Sequence, residues 1–244
     1  MNKNIEQTLV IIKPDALKNS ITGFIFSQLS ELHTGARFAG AKVVNVSKLL
    51  AEEHYAEHVE KPFFGTLYDY ITGRQHYSDE DKWKRRVIAI TYMGPGVVEG
   101  IRALAGPTNP HNARDQKPGS IRSLGTVMFI EDDQGNKIGD KIDNLVHTSA
   151  TAEEAEREIK LWFVPRDIPP MMRIYPTQIC PSHYYYKDGK LYDTYEPDSM
   201  LLLAPGDMAW ETDLEILQSY DGNECKKGRL NTVAAKYLVN RIDI

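Results

Sequence analysis

The first 163 residues switch repeatedly between two hydrophobic periods. That alternation restricts the chain to folds in which helices cover a sheet. Thr8-Leu-Val-Ile-Ile-Lys13 is a short β-branched run suited to a buried strand, and Pro14 ends it. Ile21, Phe24, Ile25, Leu29 and Leu32 then recur at helical spacing, and Gly35 stops that helix. Arg37 to Val46 reads as a second strand, and Leu50 to His58 as a short helix closed near Pro62. Val87 to Tyr92 is a third strand, Val97 to Leu104 a helix, and Val127-Met-Phe-Ile130 a fourth strand. The order β-α-β-β-α-β predicts a ferredoxin-like α+β fold, an antiparallel sheet with helices. Between the last helix and strand, Ala105 to Ser120 reads as a long loop rich in Gly, Pro and Asn. Loops of that length inside a compact unit are usually functional.

After His147, Thr151-Ala-Glu-Glu154 is a capping-box signature. Ala152, Ala155, Ile159 and Trp162 continue it as an apolar helix face, ended by Pro165. Glu158 lies on the same stripe and is expected to point inward. Asp132 to Asn136 reads as an exposed turn. From about residue 165 the character changes, with Pro169-Pro170, Pro176, Pro181, Pro197 and Pro205 as punctuation. Tyr184 to Tyr192 is a hairpin signal turning at Asp188-Gly189. Short helices are expected around Asp213 to Leu217 and Thr232 to Val239. The chain thus divides into residues 1–163 and a C-terminal extension, 164–244, aromatic enough to pack on the core or on a neighbouring subunit.

The formal net charge of −5 argues against nucleic acid as a partner, although a few focused cations are enough to hold a small phosphate ligand. The first apolar run is too short for a signal peptide or a membrane span, so a cytoplasmic protein with no membrane partner is expected. Cys180 and Cys225 are the only cysteines and form no C-x-x-C pattern, so no metal framework is suggested and reduced thiols are expected. Gly94-Pro-Gly-Val-Val-Glu-Gly100 lacks the lysine of a P-loop. A phosphate site must therefore be assembled from dispersed groups. Lys13 at a strand end, Arg102 on a helix, and Thr108 and Arg122 flanking the long loop could converge, although each alone reads as readily as a solvated surface residue.

The chain becomes specific at Asn144-Leu-Val-His147-Thr-Ser149. This resembles the N-x-x-H-x-S element of nucleoside diphosphate kinases. Further matches follow in family order: Lys13-Pro-Asp15, His54-Tyr55, Lys61-Pro-Phe-Phe64, Gly106-Pro-Thr-Asn-Pro110, Lys117-Pro-Gly-Ser-Ile-Arg122, and Glu154 to Glu158 leading into Leu161-Trp-Phe163. The resemblance covers about two thirds of the chain. It implies a magnesium nucleotide substrate and ping-pong transfer of the terminal phosphoryl group from a nucleoside triphosphate to a nucleoside diphosphate through a phosphohistidine. It assigns the nucleophile to His147, its orientation to Glu158 with Ser149, and the distal phosphates to Arg102, Thr108 and Arg122. Lys13 falls near the terminal phosphate and ribose, Asn144 near the sugar, and Tyr55 near the reacting phosphate. Phe63 falls under the base, with Phe64 in the core. Mg2+ would come with the nucleotide, so no protein metal site is expected, including at His54 and His58, whose i, i+4 spacing could in principle bind one.

The chain departs from the family pattern at Ala150 (usually aspartate), and at Thr148 and Ala16 (usually glycine). Thr151 is expected to take over the helix cap. Residues 70–86 and a hairpin at 131–143 are insertions, and the extension replaces a short tail. Such segments assemble oligomers in this family, so a homo-oligomer of open order is expected. A nucleotide-binding regulatory or assembly module with little turnover is the alternative at this point.

Overall fold

A computed structural model describes residues 5–131, 134, 135 and 137–238. The chain opens with β1 (Ile5–Ile12), three short helices α1 (Pro14–Lys18), α2 (Thr22–Gln28) and α3 (Glu31–Thr34), and then β2 (Arg37–Val44). Next come α4 (Lys48–His54), α5 (Phe64–Ile71), β3 (Val87–Pro95), α6 (Val97–Ala105) and α7 (Pro110–Gln116). A hairpin, β4 (Thr126–Glu131) and β5 (Lys137–Asp143), leads to β6 (Val146–Thr148) and α8 (Ala152–Trp162). The extension holds β7 (Thr177–Ile179), β8 (Tyr184–Lys187), β9 (Lys190–Tyr192), β10 (Met200–Leu203), β11 (Met208–Trp210), α9 (Glu211–Gln218) and α10 (Leu230–Ala234).

The central sheet has the order β2-β3-β1-β6 with every pairing antiparallel, which is the ferredoxin-like arrangement. Side-chain alternation on β1 explains the two cores. Leu9 and Ile11 face a cluster with Leu50, Ile159 and Trp162, whereas Val10 and Ile12 face one with Ile25, Ile90 and Ile101. Leu9 to Ile12 are all fully buried because helices cover both faces of this strand.

Several sequence expectations need correction. The run 127–130 is a strand, but it pairs with β5 in a two-stranded ribbon separate from the central sheet. The fourth strand of the central sheet is β6, three residues long and carrying His147, which periodicity cannot register at that length. The stretch 21–34 is two helices, α2 and α3, separated at Leu29-Ser30, where Ser30 caps the second. The supposed loop 105–120 contains α7, capped by Asn109 with Pro110 in its first turn. Phe64 is half-buried at the start of α5, its ring 6.5 Å from that of Tyr68, instead of sitting in a core cluster. Of the turn expected at 132–136, Gln134 and Gly135 are exposed, and the other three positions lie outside the described residues. The last residue of the helix expected at 232–239 also lies outside them. Within that span, α10 is followed by a 3-10 turn, Ala235–Tyr237.

The Asp188-Gly189 turn joins β8 to β9 as the sequence signals, both residues at positive φ (50° and 80°). The extension packs inward. Trp210, fully buried, donates its indole Nε1 to the Phe163 carbonyl at 2.7 Å. Ala235 joins the cluster of Leu50, Ala51 and Trp162, so α4 and α8 are covered from behind by the extension. Cys180 and Cys225 are both free. No helix among the described residues is long and apolar enough to cross a membrane.

Candidate active site

His147 sits in the middle of β6, opposite Ile11, and is partly open to solvent at 20% side-chain exposure. Its neighbours Val146 and Thr148 face inward. The strand is aimed by a turn at Asn144-Leu145. Leu145 has φ 69°, an uncommon conformation for a branched side chain. Asp15 at the start of α1 holds it by accepting the Leu145 amide at 2.9 Å, and the Leu145 carbonyl accepts the Lys13 amide at 2.9 Å. The strain is thus pinned by the Lys13-Pro-Asp15 element on the neighbouring strand end.

Glu158 projects from the buried face of α8, with Oε1 2.8 Å from His147 Nε2. The approach is close but lies off the ideal N–H axis, as is common before a substrate tightens a catalytic contact. Ser149 Oγ donates to Glu158 Oε2 at 2.6 Å and accepts the Leu9 amide at 3.2 Å. Burial works against the Glu158 charge, but the His147 ring and the Ser149 hydroxyl outweigh it and hold the carboxyl down to about 2. An ionised carboxylate at Nε2 places the imidazole proton there and leaves the Nδ1 lone pair free.

His54, at the end of α4, is given no catalytic role by the sequence, whose signals for it are its place beside Tyr55 and its i, i+4 spacing to His58. Its ring lies edge-on to His147 with centroids 4.6 Å apart. The Trp162 indole Nε1 donates to His54 Nδ1 at 3.2 Å, fixing the tautomer. Burial and the adjacent His147 push its pKa down to about 3, so it is a neutral wedge. Among the described residues, His54, His147 and Glu158 form a group with metal-ligand spacing. The Trp162 bond occupies one nitrogen of His54, and Glu158 is engaged by His147 and Ser149.

The other expected residues fall around this centre. The Tyr55 ring stacks edge-on to His54 at 4.6 Å, His58 lies 6.5 Å from Tyr55, and Phe63 lies 5.6 Å from His58. A line of rings thus runs from His147 to the half-exposed Phe63. On the other side, Lys13 Nζ donates to Asn144 Oδ1 at 2.8 Å and lies 4.5 Å from the Tyr70 ring centre. Burial, opposed by Asp15, lowers the Lys13 pKa to about 8. Asn144 Nδ2 donates to the Thr108 carbonyl at 3.1 Å, while the Thr108 side chain is exposed. Arg122 Nη1 donates to the Gly106 carbonyl at 2.8 Å, and Nη2 to the Val146 carbonyl at 3.1 Å. Exposed Arg102 is close enough to Arg122 to repel its charge. Tyr70, likewise absent from the sequence expectations, donates its hydroxyl to Asp15 at 2.8 Å and accepts the Asn144 amide at 2.8 Å. It lies at the start of the insertion, where sequence offers no cue.

The substituted family positions are accommodated. Thr148 lies in strand and Ala16 in helix, conformations open to any residue. Thr151 Oγ1 caps α8 by accepting the Glu154 amide at 3.1 Å, while Glu154 Oε2 accepts the Ala150 amide at 2.7 Å.

A fold of this order, with a strand-borne histidine against a buried glutamate and cations gathered nearby, defines a phosphotransferase-type site on a ferredoxin-like scaffold. The nucleoside diphosphate kinase family model matches residues 6–168. The nucleoside diphosphate kinase of Pyrococcus furiosus is 40% identical over 164 residues, 67% of this chain and 86% of that protein. A Thermus thermophilus nucleoside diphosphate kinase is 37% identical, over 67% of this chain and 99% of its own length. Among solved structures, a Halobacterium salinarum nucleoside diphosphate kinase in complex with CDP is 31% identical with a TM-score of 0.52, covering 70% of this chain and 95% of that one. A Borrelia burgdorferi kinase, solved as a transition-state mimic with vanadate and ADP, is 26% identical with a TM-score of 0.53, covering 70% and 94%. The chain belongs to the nucleoside diphosphate kinase family and is an enzyme of that type.

Proposed function

We propose that His147 Nδ1 carries the phosphoryl group. Nδ1 attacks the terminal phosphorus of a nucleoside triphosphate, an N–P bond forms, and the P–O bond to the departing nucleoside diphosphate breaks. A second nucleoside diphosphate reverses these steps through its terminal oxygen. Nδ1 holds no proton, so none has to leave, and the positive charge that grows on the ring faces Glu158. The observation that carries this reading is the 2.8 Å approach of Nε2 to a buried, ionised Glu158. A surface histidine has no need of such a partner.

Lys13, Arg102, Arg122 and Thr108 take the phosphates, where fixed donors and cations do most of the work of phosphoryl transfer. Asn144 and Lys13 reach the sugar, Tyr55 approaches the reacting phosphate, and Phe63 stacks on the base, which favours broad base acceptance. Mg2+ enters as part of the nucleotide. Asp15 and Glu158 are buried and engaged by Tyr70, Leu145, Ser149 and His147. A metal that arrives on phosphate oxygens and water suits that donor set. The vanadate and ADP of the Borrelia burgdorferi relative and the CDP of the Halobacterium salinarum relative support a nucleotide in this cleft. Residues 1–163 form the kinase unit and 164–244 an extension packed on it. The enzyme works in the cytoplasm as a homo-oligomer.

Incubation with terminally labelled ATP tests the reading. Acid-labile label is expected on the wild type and absent from His147→Ala. Equal labelling of both would overturn it.

A further inference from the structure

We infer that Arg229 and Thr232 of the extension are positioning residues for the nucleotide cleft, acting through Glu53. Glu53 is on α4, directly before His54 and Tyr55, and its carboxylate is only 4% exposed. Its two oxygens are both taken by one segment far away in sequence, at the start of α10. Arg229 Nη2 donates to Oε1, and Thr232 Oγ1 donates to Oε2 at 2.9 Å. A buried carboxylate stripped of its cation is strongly destabilising where it sits, so α4 is held in place by the extension and would shift without it.

The contact continues toward the nucleophile. The main-chain carbonyl of Glu53 accepts Arg157 Nη1 at 3.3 Å, and Arg157 Nη2 lies 3.9 Å from Glu158 Oε1. On the other side, Arg229 borders a cleft of about 400 Å³ with Ala56, Glu57, Val59, Glu60 and Lys61. That segment runs from Tyr55 into Phe63. One guanidinium therefore secures the end of α4 and shares a cleft with the segment that follows it. Glu158 has independent support from Ser149, which also bonds the Leu9 amide. Loss of the latch should therefore loosen residues 54–63 while leaving the His147–Glu158 pair in register, so that nucleotide KM suffers more than kcat.

The proposal rests on the phosphotransfer reading above, and the test keeps the two apart. Full-length Arg229→Ala, Arg229→Lys and Thr232→Val are assayed with ATP and GDP, beside hydrogen exchange across the chain. Expected for Arg229→Ala is a KM for GDP raised about 2- to 30-fold, a smaller change in kcat, and faster exchange confined to residues 48–64. Arg229→Lys should recover most of the KM, and Thr232→Val should show the same pattern more weakly. If Arg229→Ala does not fold, the other two variants decide. An unchanged KM in folded variants would overturn the proposal. So would equal losses in KM and kcat with exchange accelerated throughout. If the wild type takes no label from ATP, the phosphotransfer reading fails. GDP affinity of the same variants then judges the latch.

Discussion

Replacing Glu158 by glutamine separates the charge of this side chain from its shape. The amide keeps the volume and can still accept from Ser149 Oγ, now 2.6 Å away, so α8 and β6 should stay in register. What disappears is a negative charge 2.8 Å from His147 Nε2. At an effective dielectric of about 20, unit charges about 4 Å apart attract by roughly 4 kcal/mol. The ring gains only part of a charge in the transition state, so the lost stabilisation lies between roughly 2 and 4 kcal/mol. That corresponds to a phosphorylation rate about 30- to 1000-fold lower. With its one carbonyl oxygen kept on Ser149, the amide turns its NH2 toward His147 Nε2, which favours the proton on Nδ1 and lowers the rate further. The assay is rapid-quench labelling with terminally labelled ATP at saturation, beside nucleotide binding at equilibrium. A rate close to wild type with unchanged affinity would refute the claim that the Glu158 charge supports the nucleophile.

Lys13 gives a pH prediction with a definite sign. Its folded pKa of about 8 lies below the ordinary 10.5, so it loses its charge as pH rises through about 8. kcat/KM should fall across that range because phosphate loses a cation, and Lys13→Met should abolish the inflection. Fold stability moves the other way: the cost of burying the ammonium is fully present below pH 8 and is relieved as pH rises toward 10.5. Asp15→Ala removes the acceptor for the Leu145 amide and the Tyr70 hydroxyl, at a cost of about 1–3 kcal/mol per stranded buried group. A lower urea midpoint together with reduced labelling of His147 is expected, and an unchanged midpoint would count against the strained turn. Lys236 and Asp213 form a buried pair at 2.9 Å within the extension. Lys236→Met should destabilise by about 3–5 kcal/mol, with much of that recovered in the double variant Lys236→Met, Asp213→Leu. Chemical denaturation of both variants checks it.

The ribbon at 126–143 shows where sequence reading stops. Val127 to Ile130 has the composition of a core strand, yet among the described residues it pairs with β5. Pairing is a choice among strands, and composition records only that a strand is suitable for one. His147 shows the converse. Its strand has three residues, too few for a period to emerge, and only the surrounding motif, Asn144 and Ser149, marks it. His54 stands in view beside Tyr55, but its contact with His147 spans more than ninety residues of chain and requires α4 to lie against α8.

The sequence alone marked most of the alternating strands and helices, the cap at Thr151, the Asp188-Gly189 turn, and, through its motif, His147 and Glu158 as the proposed nucleophile and its orienting acid. These are local matters, settled by backbone preferences over a few residues or by a motif kept in order. The tertiary structure alone decided which strand completes the sheet, that His54 packs against His147, that Tyr70 and Asp15 pin the turn before it, and that the extension grips Glu53. Each depends on burial. A carboxylate, a ring nitrogen or a hydroxyl buried from water must find a partner, and which residue supplies it is fixed only when distant segments meet.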